Sequence, residues 1–343
     1  SDKLVSVRPA ISDYYEAIYG NTSPKDLVTL FELVHLYFTE PRIDKETFTS
    51  IKKQFLSDVL DSKNRPEKVF RDSVNCNLWN YNFRRKPLTE DIVESFDMMK
   101  MYEIFTERFS DPSDFIFILV GNFDSDSIRI YAEKYIGSIP SKGRKELWKD
   151  DSLRMFKGKI EKNFVKGIEK KSYVRIVING EFDWSYRERF LLDALNKLLD
   201  IRLREAIREE KGGTYGVGIW FNVEPFPEKR YSLNITFGCD PYRVNELALE
   251  AINVLKDVSS NVQKDIYLTK IKEILKRELE VDLKDNYFWA SKFFQYYFYN
   301  DSEDLVEQWK DFIDKFTLED LLQVAKKYIK FDNFAKFVLL PES

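Results

Sequence analysis

Histidine is nearly absent from this 343-residue chain: there is one, His35. The chain therefore cannot build a two-histidine metal site by itself, and it contains no HxxEH, HExxH or Cys/His cluster. A Ser or Cys nucleophile normally needs a histidine base. His35 lies in the apolar helical stretch LFELVHLYF with no catalytic motif around it, and reads as a packed or half-exposed residue rather than a ligand. Cysteine is scarce too. Cys76 and Cys239 lie far apart without CxxC spacing, so they read as core or strand thiols, with no disulfide framework implied. GxGxxG is missing. The segment Gly121-Asn122-Phe123-Asp124 is explained as a strand end, a turn and a helix cap, not a phosphate cradle. No apolar run is long enough for a transmembrane helix, so no membrane span is expected. Neither sign of charge dominates: 54 basic against 58 acidic side chains, net −4. That argues against a nucleic-acid-coating surface, while leaving room for a local basic patch.

What is present is an ordinary globular composition, 43% hydrophobic and 33% charged, with length for one or two domains. Short strands are expected at 3–7 and 14–19. Helices are expected after Ser23-Pro24, Asp44, Pro66, Thr89 and Asp97, each start carrying a cap or a first-turn proline. The run DFIFILVG, Asp114 to Gly121, reads as a buried strand, and Asp124 caps a helix ending at Gly137. A shift of 220 overlays the sequence on itself without a gap. Thr49 meets Thr269, Ile51 meets Ile271, Met101 meets Leu321, and Phe117-Ile118-Leu119 meets Phe337-Val338-Leu339. Identities are few, but element order and apolar phase agree along about 75 residues, which points to a structural duplication. The second copy opens with strands near 159–165 and 171–181 and a long helix, 184–210. The matching part of the first copy would lie before residue 1. The expected division is thus a truncated first domain, 1–145, and a complete second domain, 146–343, joined through the polar stretch SKGRKELWKDD. Strands at 215–222 and 230–239, four more helices and a closing strand 334–340 complete it. The fold class is α+β: two related layered domains, each a mainly antiparallel sheet with helices packed on one side, the first lacking its opening strands.

The most informative segment is Arg208-Glu209-Glu210-Lys211-Gly212-Gly213-Thr214-Tyr215. A long amphipathic helix runs in and a Val/Ile/Trp/Phe strand runs out. Gly212 and Gly213 permit a tight reversal, leaving Arg208 and Tyr215 beside one turn. Both side chains can donate to a peptide carbonyl. Sequence alone leaves two readings open for each. Arg208 is either a solvated cation favoured at a helix C-terminus or a substrate contact. Tyr215 shares a strand face with Val217, Ile219 and Phe221, and is either a core tyrosine or a donor. Gly216 and Gly218 alternate onto the opposite face, where a peptide laid along the strand could approach closely. The aromatic run Tyr287 to Tyr299 reads as a buried helix with tyrosines at its margin.

The segment LREAIREEKGGTYGVG resembles the signature of the C-terminal half of pitrilysin/insulinase-type (inverzincin) zinc metallopeptidases, nearest the bacterial processing-type branch. LYFTEPRIDKETF, KPLTEDIV, ERFSDPSDFIFILVGNFD and KYIGSIP support it in matching order over nearly the whole chain. The resemblance implies a catalytic half and a non-catalytic half enclosing a chamber for an unfolded peptide. Zinc and its HxxEH motif belong to the catalytic half, so this chain is expected to hold no zinc and to be inactive alone. Its implied partners are a peptide substrate and the N-terminal catalytic half, on the same polypeptide or on a partner subunit. The family's substrate-contacting Arg and Tyr fall on Arg208 and Tyr215, beside Gly212 and Gly213. The compartment stays open between bacterial cytoplasm and periplasm. A reading from another class is a non-peptidase scaffold or partner-binding subunit of the same fold.

Overall fold

The structure, a computed structural model, describes residues 2–210, 212, 214, 216–302 and 304–342. In chain order the elements are β1 (Val5–Ile11), β2 (Glu16–Thr22), α1 (Leu27–Thr39), α2 (Lys45–Ser62), α3 (Pro66–Leu78), α4 (Glu90–Glu94), α5 (Met98–Phe109) and α6 (Ser125–Tyr131). They continue with β3 (Lys159–Val165), β4 (Ser172–Glu181), α7 (Tyr186–Leu203), a π-helical segment Arg204–Glu210, β5 (Val217–Glu224) and β6 (Arg230–Cys239). The last are α8 (Val244–Ser260), α9 (Asp265–Asp282), α10 (Asn286–Tyr299), α11 (Leu305–Lys315), α12 (Leu318–Tyr328) and β7 (Phe334–Leu340). Local chemistry sets the helix starts. Asp44, Thr89, Asp97 and Asp124 accept from the amides of Thr47, Ile92, Lys100 and Ser127. Thr317 and Asp320 close a capping box at α12. Ser23 behaves differently from the expected cap: its hydroxyl donates to Asp26, and a 3₁₀ turn precedes α1. Gly137 is right-handed, not a left-handed stop. A Cβ there would come within 2.9 Å of the Glu133 carbonyl, so close approach explains the glycine.

The chain forms two compact units, and neither is contiguous. One comprises 1–59, 88–149 and 286–299; the other 60–87, 150–285 and 300–343. The passage from 149 to 150 falls within the polar linker. The division into 1–145 and 146–343, however, supposes uninterrupted domains, whereas α3 belongs to the second unit and α10 to the first. Packing explains α3. Its Phe70, Val74 and Leu78 form one buried cluster with Val177, Ala335, Phe337 and Leu339.

In the second unit the sheet order is β3-β7-β4-β6-β5, with β3–β7 parallel and the other pairs antiparallel. On one face Val174, Ile176, Ile178, Leu233 and Ile235 are buried, and α7 and α8 pack against the sheet. The opposite face carries the α3 cluster, so the helices are not confined to one side. The α7 leucines 191, 192, 195, 198, 199 and 203 are all buried, each stabilising by roughly 1.5–3 kcal/mol. Phe190 adds ring contacts with Trp309, Phe312 and Phe316.

The repeat is carried by matching helices. α2 and α9, α3 and α10, and α5 and α12 start 220 residues apart. Even a single bond is duplicated: Lys52 donates to the Glu94 carbonyl at 2.6 Å, and Lys272 to that of Asp314 at 2.7 Å. Burial is not duplicated. Ile271 is 0% exposed and its counterpart Ile51 48%; Leu321 is 1% exposed and Met101 52%. In the second unit α7 packs against α9 and α12. Shifted by 220, α7 has no counterpart among the 343 residues.

The same arithmetic corrects the expected strand at 114–121, which is irregular. Its counterpart β7 is bonded on both sides, by β3 and β4, whereas no strand pairs with 114–121 among the described residues. The run is used for packing instead: Phe115 and Phe117 lie against Phe38, at 5.1 and 5.9 Å between ring centroids. The first unit's sheet is the antiparallel pair β1–β2. The aromatic helix α10 is not buried as expected. Phe294 and Phe298 contact Tyr15, while Tyr287, Phe293 and Tyr297 are exposed, because α10 covers a two-stranded hairpin and not a full sheet.

Asp111 organises the irregular segment after Ile139. It is buried, bonded by the Ser113 hydroxyl, and accepts the amides of Ser113, Lys142 and Arg144 at 3.1–3.2 Å. The Ser113 hydroxyl, then the Arg144 and Lys142 amides, hold its pKa down to about 2. A carboxyl whose folded pKa lies below its unfolded value of about 3.9 stabilises fully above that value. The contribution is lost as pH falls from about 4 to about 2. The stability difference between wild type and Asp111→Asn, read as urea midpoints, should narrow across that window and stay constant above it.

Candidate functional site: the corner between α7 and β5

The candidate corner is built by the end of α7. After Leu203 the winding loosens to π-helix through Glu210, not the single α-helix to 210 that the sequence suggests. π-Turns inserted in α-helices recur at functional sites. Here the wider turn keeps Ala206 and Ile207 buried while Arg204 and Arg208 stay exposed. The two arginines do different things. Arg204 Nε pairs with Asp200 at 2.9 Å, whereas the Arg208 guanidinium has no hydrogen-bond or ion-pair partner among the described residues. Glu205 ties the segment down, accepting the Tyr267 hydroxyl at 2.6 Å.

Gly212 ends the helix. Its amide donates to the Arg208 carbonyl at 3.0 Å, and its φ of +55° is left-handed. Thr214 then makes a local turn, its hydroxyl bonding the carbonyl and amide of Gly216 at 3.0 and 3.3 Å. The chain enters β5 at Val217. This strand pairs with β6 alone and is the last in the sheet order, so among the described residues its outer edge is unpaired. The structure places Arg208 on the surface and Gly212 at the turn. Gly213 and Tyr215 lie outside the described residues.

Other candidates resolve into packing. His35 Nδ1 lies 2.7 Å from the Tyr135 carbonyl oxygen, with the two rings edge to face. Burial pushes the Cys239 thiol up to about 11 and raises that of Cys76, as for inert core thiols. Among the described residues no three His, Cys, Asp or Glu side chains are grouped to hold a metal ion, and no helix is long and apolar enough to cross a membrane. The donor set does not fit a catalytic zinc. Sequence reading missed Arg175, Ser232 and Asn234, polar residues on one sheet face. Their alternation in β4 and β6 was the available signal, but apolar neighbours on both sides obscured it.

The second unit is thus an α+β sheet domain with an exposed arginine in the π-helical segment that follows α7. The chain belongs to the peptidase M16 family: the family described as "Peptidase M16 inactive domain" matches residues 100–275. Within it, the chain is 27% identical over 293 residues to "Zinc protease PQQL-like" of Arabidopsis thaliana, covering 79% of this chain and 30% of that protein. It is 24% identical over 321 residues to "Probable zinc protease PqqL" of Escherichia coli, covering 91% and 34%. It thus spans about a third of these relatives' length. Among solved structures, the periplasmic protease PqqL from Escherichia coli superposes with a TM-score of 0.85 at 21% identity, covering 98% of this chain and 37% of that one. The peptidase M16 inactive domain from Pseudomonas fluorescens gives 0.78 at 15% identity, covering 99% and 81%. At these identities the structures establish the shared fold.

Gly212 offers a local test. Gly212→Ala forces a side chain into the left-handed region and should destabilise by about 1 kcal/mol. Gly216→Ala meets open space among the described residues, without a positive φ, and should cost less. Urea unfolding of the two variants measures the difference.

Proposed function

We propose that this chain is the substrate-binding, non-catalytic half of a zinc-dependent endopeptidase that hydrolyses peptides in an enclosed chamber. The observation that carries the reading is the corner itself: an exposed Arg208 with no partner among the described side chains, at the end of a rigidly packed helix, followed by a strand whose outer edge is unpaired among the described residues. A peptide would lie along β5, its main chain bonding the strand edge. Arg208 and Tyr215 would donate to a peptide carbonyl near the scissile bond and to the oxyanion that develops there. Gly212 and Gly213 would let the backbone turn beside the substrate. Zinc, which in such an enzyme activates water, would be held by the catalytic half. That half would be the remainder of the same polypeptide or a partner subunit. The relatives' length supports the first arrangement, since they extend well beyond the matched region. The periplasmic setting named for the Escherichia coli structure supports the same compartment here.

A preorganised donor to a developing oxyanion contributes about 10²–10³ in turnover. In the full-length enzyme, Arg208→Ala and Tyr215→Phe should each lower kcat/KM on a fluorogenic peptide by up to that factor, with bound zinc unchanged by metal analysis. Wild-type rates in both variants would refute the role. A full-length protein with no peptidase activity at all would favour a scaffold.

A further inference from the structure

The sheet face opposite α7 and α8 is apolar where Val177, Ala335 and Phe337 meet α3, but polar toward β6 and β5. Register places Arg175 opposite Thr236, Trp220 opposite Asn234, Asn222 opposite Ser232 and Glu224 opposite Arg230. Alternation therefore puts all of these side chains on one face. Ser232, Asn234 and Arg230 are buried there. They surround a pocket of about 150 Å³, walled on the α3 side by Asn75, Leu78 and Trp79. That volume suits one small group, not a whole peptide.

The charges in the pocket do not balance. Arg230 and Glu224 form an ion pair and neutralise each other, and the Arg230 guanidinium also lies 4.6 Å from the centroid of the Trp79 ring. Arg175 has no carboxylate partner among the described residues. Its Nη2 donates to Asn234 Oδ1 at 3.0 Å, and its guanidinium sits 5.4 Å from the Trp220 ring centroid. Its Nε is shielded and unbonded, and its Nη1 makes no hydrogen bond among the described residues. Burial lowers its pKa from the usual value, which marks a guanidinium short of both water and counter-charge. Asn222 and Ser232 line the same pocket with neutral polar groups. A planar guanidinium with free donors and one uncompensated positive charge matches a carboxylate.

We infer that this pocket is a carboxylate subsite for the peptide, centred on Arg175 and taking either the peptide's C-terminal carboxylate or an Asp or Glu side chain. The inference rests on the proposed peptide-binding role, and it names a chemical preference that the Arg208 corner does not supply.

The test is fluorescence anisotropy with the 343-residue chain and short dye-labelled peptides. One pair differs only in a C-terminal acid or amide. A second pair, both amidated, differs in an internal Glu or Gln. Wild type should prefer the carboxylate member of at least one pair by roughly 10-fold or more, and the responding pair identifies the source. Arg175→Gln should abolish the preference and Arg175→Lys should retain part of it. Asn222→Asp, which leaves Arg175 in place but supplies an internal carboxylate, should abolish it as well, independently of any folding defect in the Arg175 variants. Arg208→Ala should weaken all peptides together and preserve the preference. If Arg208→Ala binds like wild type while the preference persists, the corner reading fails and the subsite stands. Equal binding of both members of both pairs, including no binding of any, overturns the subsite. So does a preference that survives in both folded Arg175→Gln and Asn222→Asp.

Discussion

The packing of α7 onto the five-stranded sheet is the constraint from which the rest of the second unit follows. Its leucines fill one sheet face, and its aromatic start at Phe190 is held by Trp309, Phe312 and Phe316. Arg202 pairs with Asp257 of α8 at 3.0 Å, and Lys197 with Glu278 of α9 at 2.7 Å. A helix fixed along its whole length can only end in one place. The π-helical segment and Gly212 use that end to present Arg208 without disturbing the core beneath it. In the proposed role, Arg208 gains precision from the rigid element that carries it.

The same sheet serves two purposes through its two faces. One face is apolar and buys stability by burial under helices. The other gathers Arg175, Asn234, Ser232 and the Arg230–Glu224 pair, an arrangement that costs desolvation and that a stability requirement alone does not explain. The corner and the polar face meet along β5, whose Gly218, like Gly216 just before the strand, carries no side chain. Among the described residues a Cβ at Gly216 would meet nothing within 4 Å, and one at Gly218 would come within 3.1 Å of Thr236. The open surface is thus at Gly216, nearer the turn.

The repeat shows how one pattern yields two outcomes. Equivalent helices start 220 residues apart and even reproduce the lysine-to-carbonyl bond of Lys52 and Lys272. Yet α3 and α10 are each assigned to the unit of the opposite repeat. Ile51 and Met101 remain exposed where Ile271 and Leu321 are covered. Ile271 and Leu321 lie on α9 and α12, the helices that α7 packs against.

Much of this was legible in the residues alone. Capping side chains marked the helix starts at Asp44, Thr89, Asp97 and Asp124, and the strands 159–165, 230–239 and 334–340 followed from apolar pattern, because caps and alternation are short-range signals. The turn at Gly212 was legible for the same reason: a glycine between a helix and a strand permits the left-handed backbone found there. Tertiary structure decided the rest. Whether 114–121 becomes a strand depends on neighbours that hydrogen-bond to it, and the side of the partition on which α3 falls depends on the surface its phenylalanine and leucine meet. The Arg175 pocket exists only when β4 pairs with β6 and sets Arg175 opposite Thr236, a separation over which no periodicity in the chain can report.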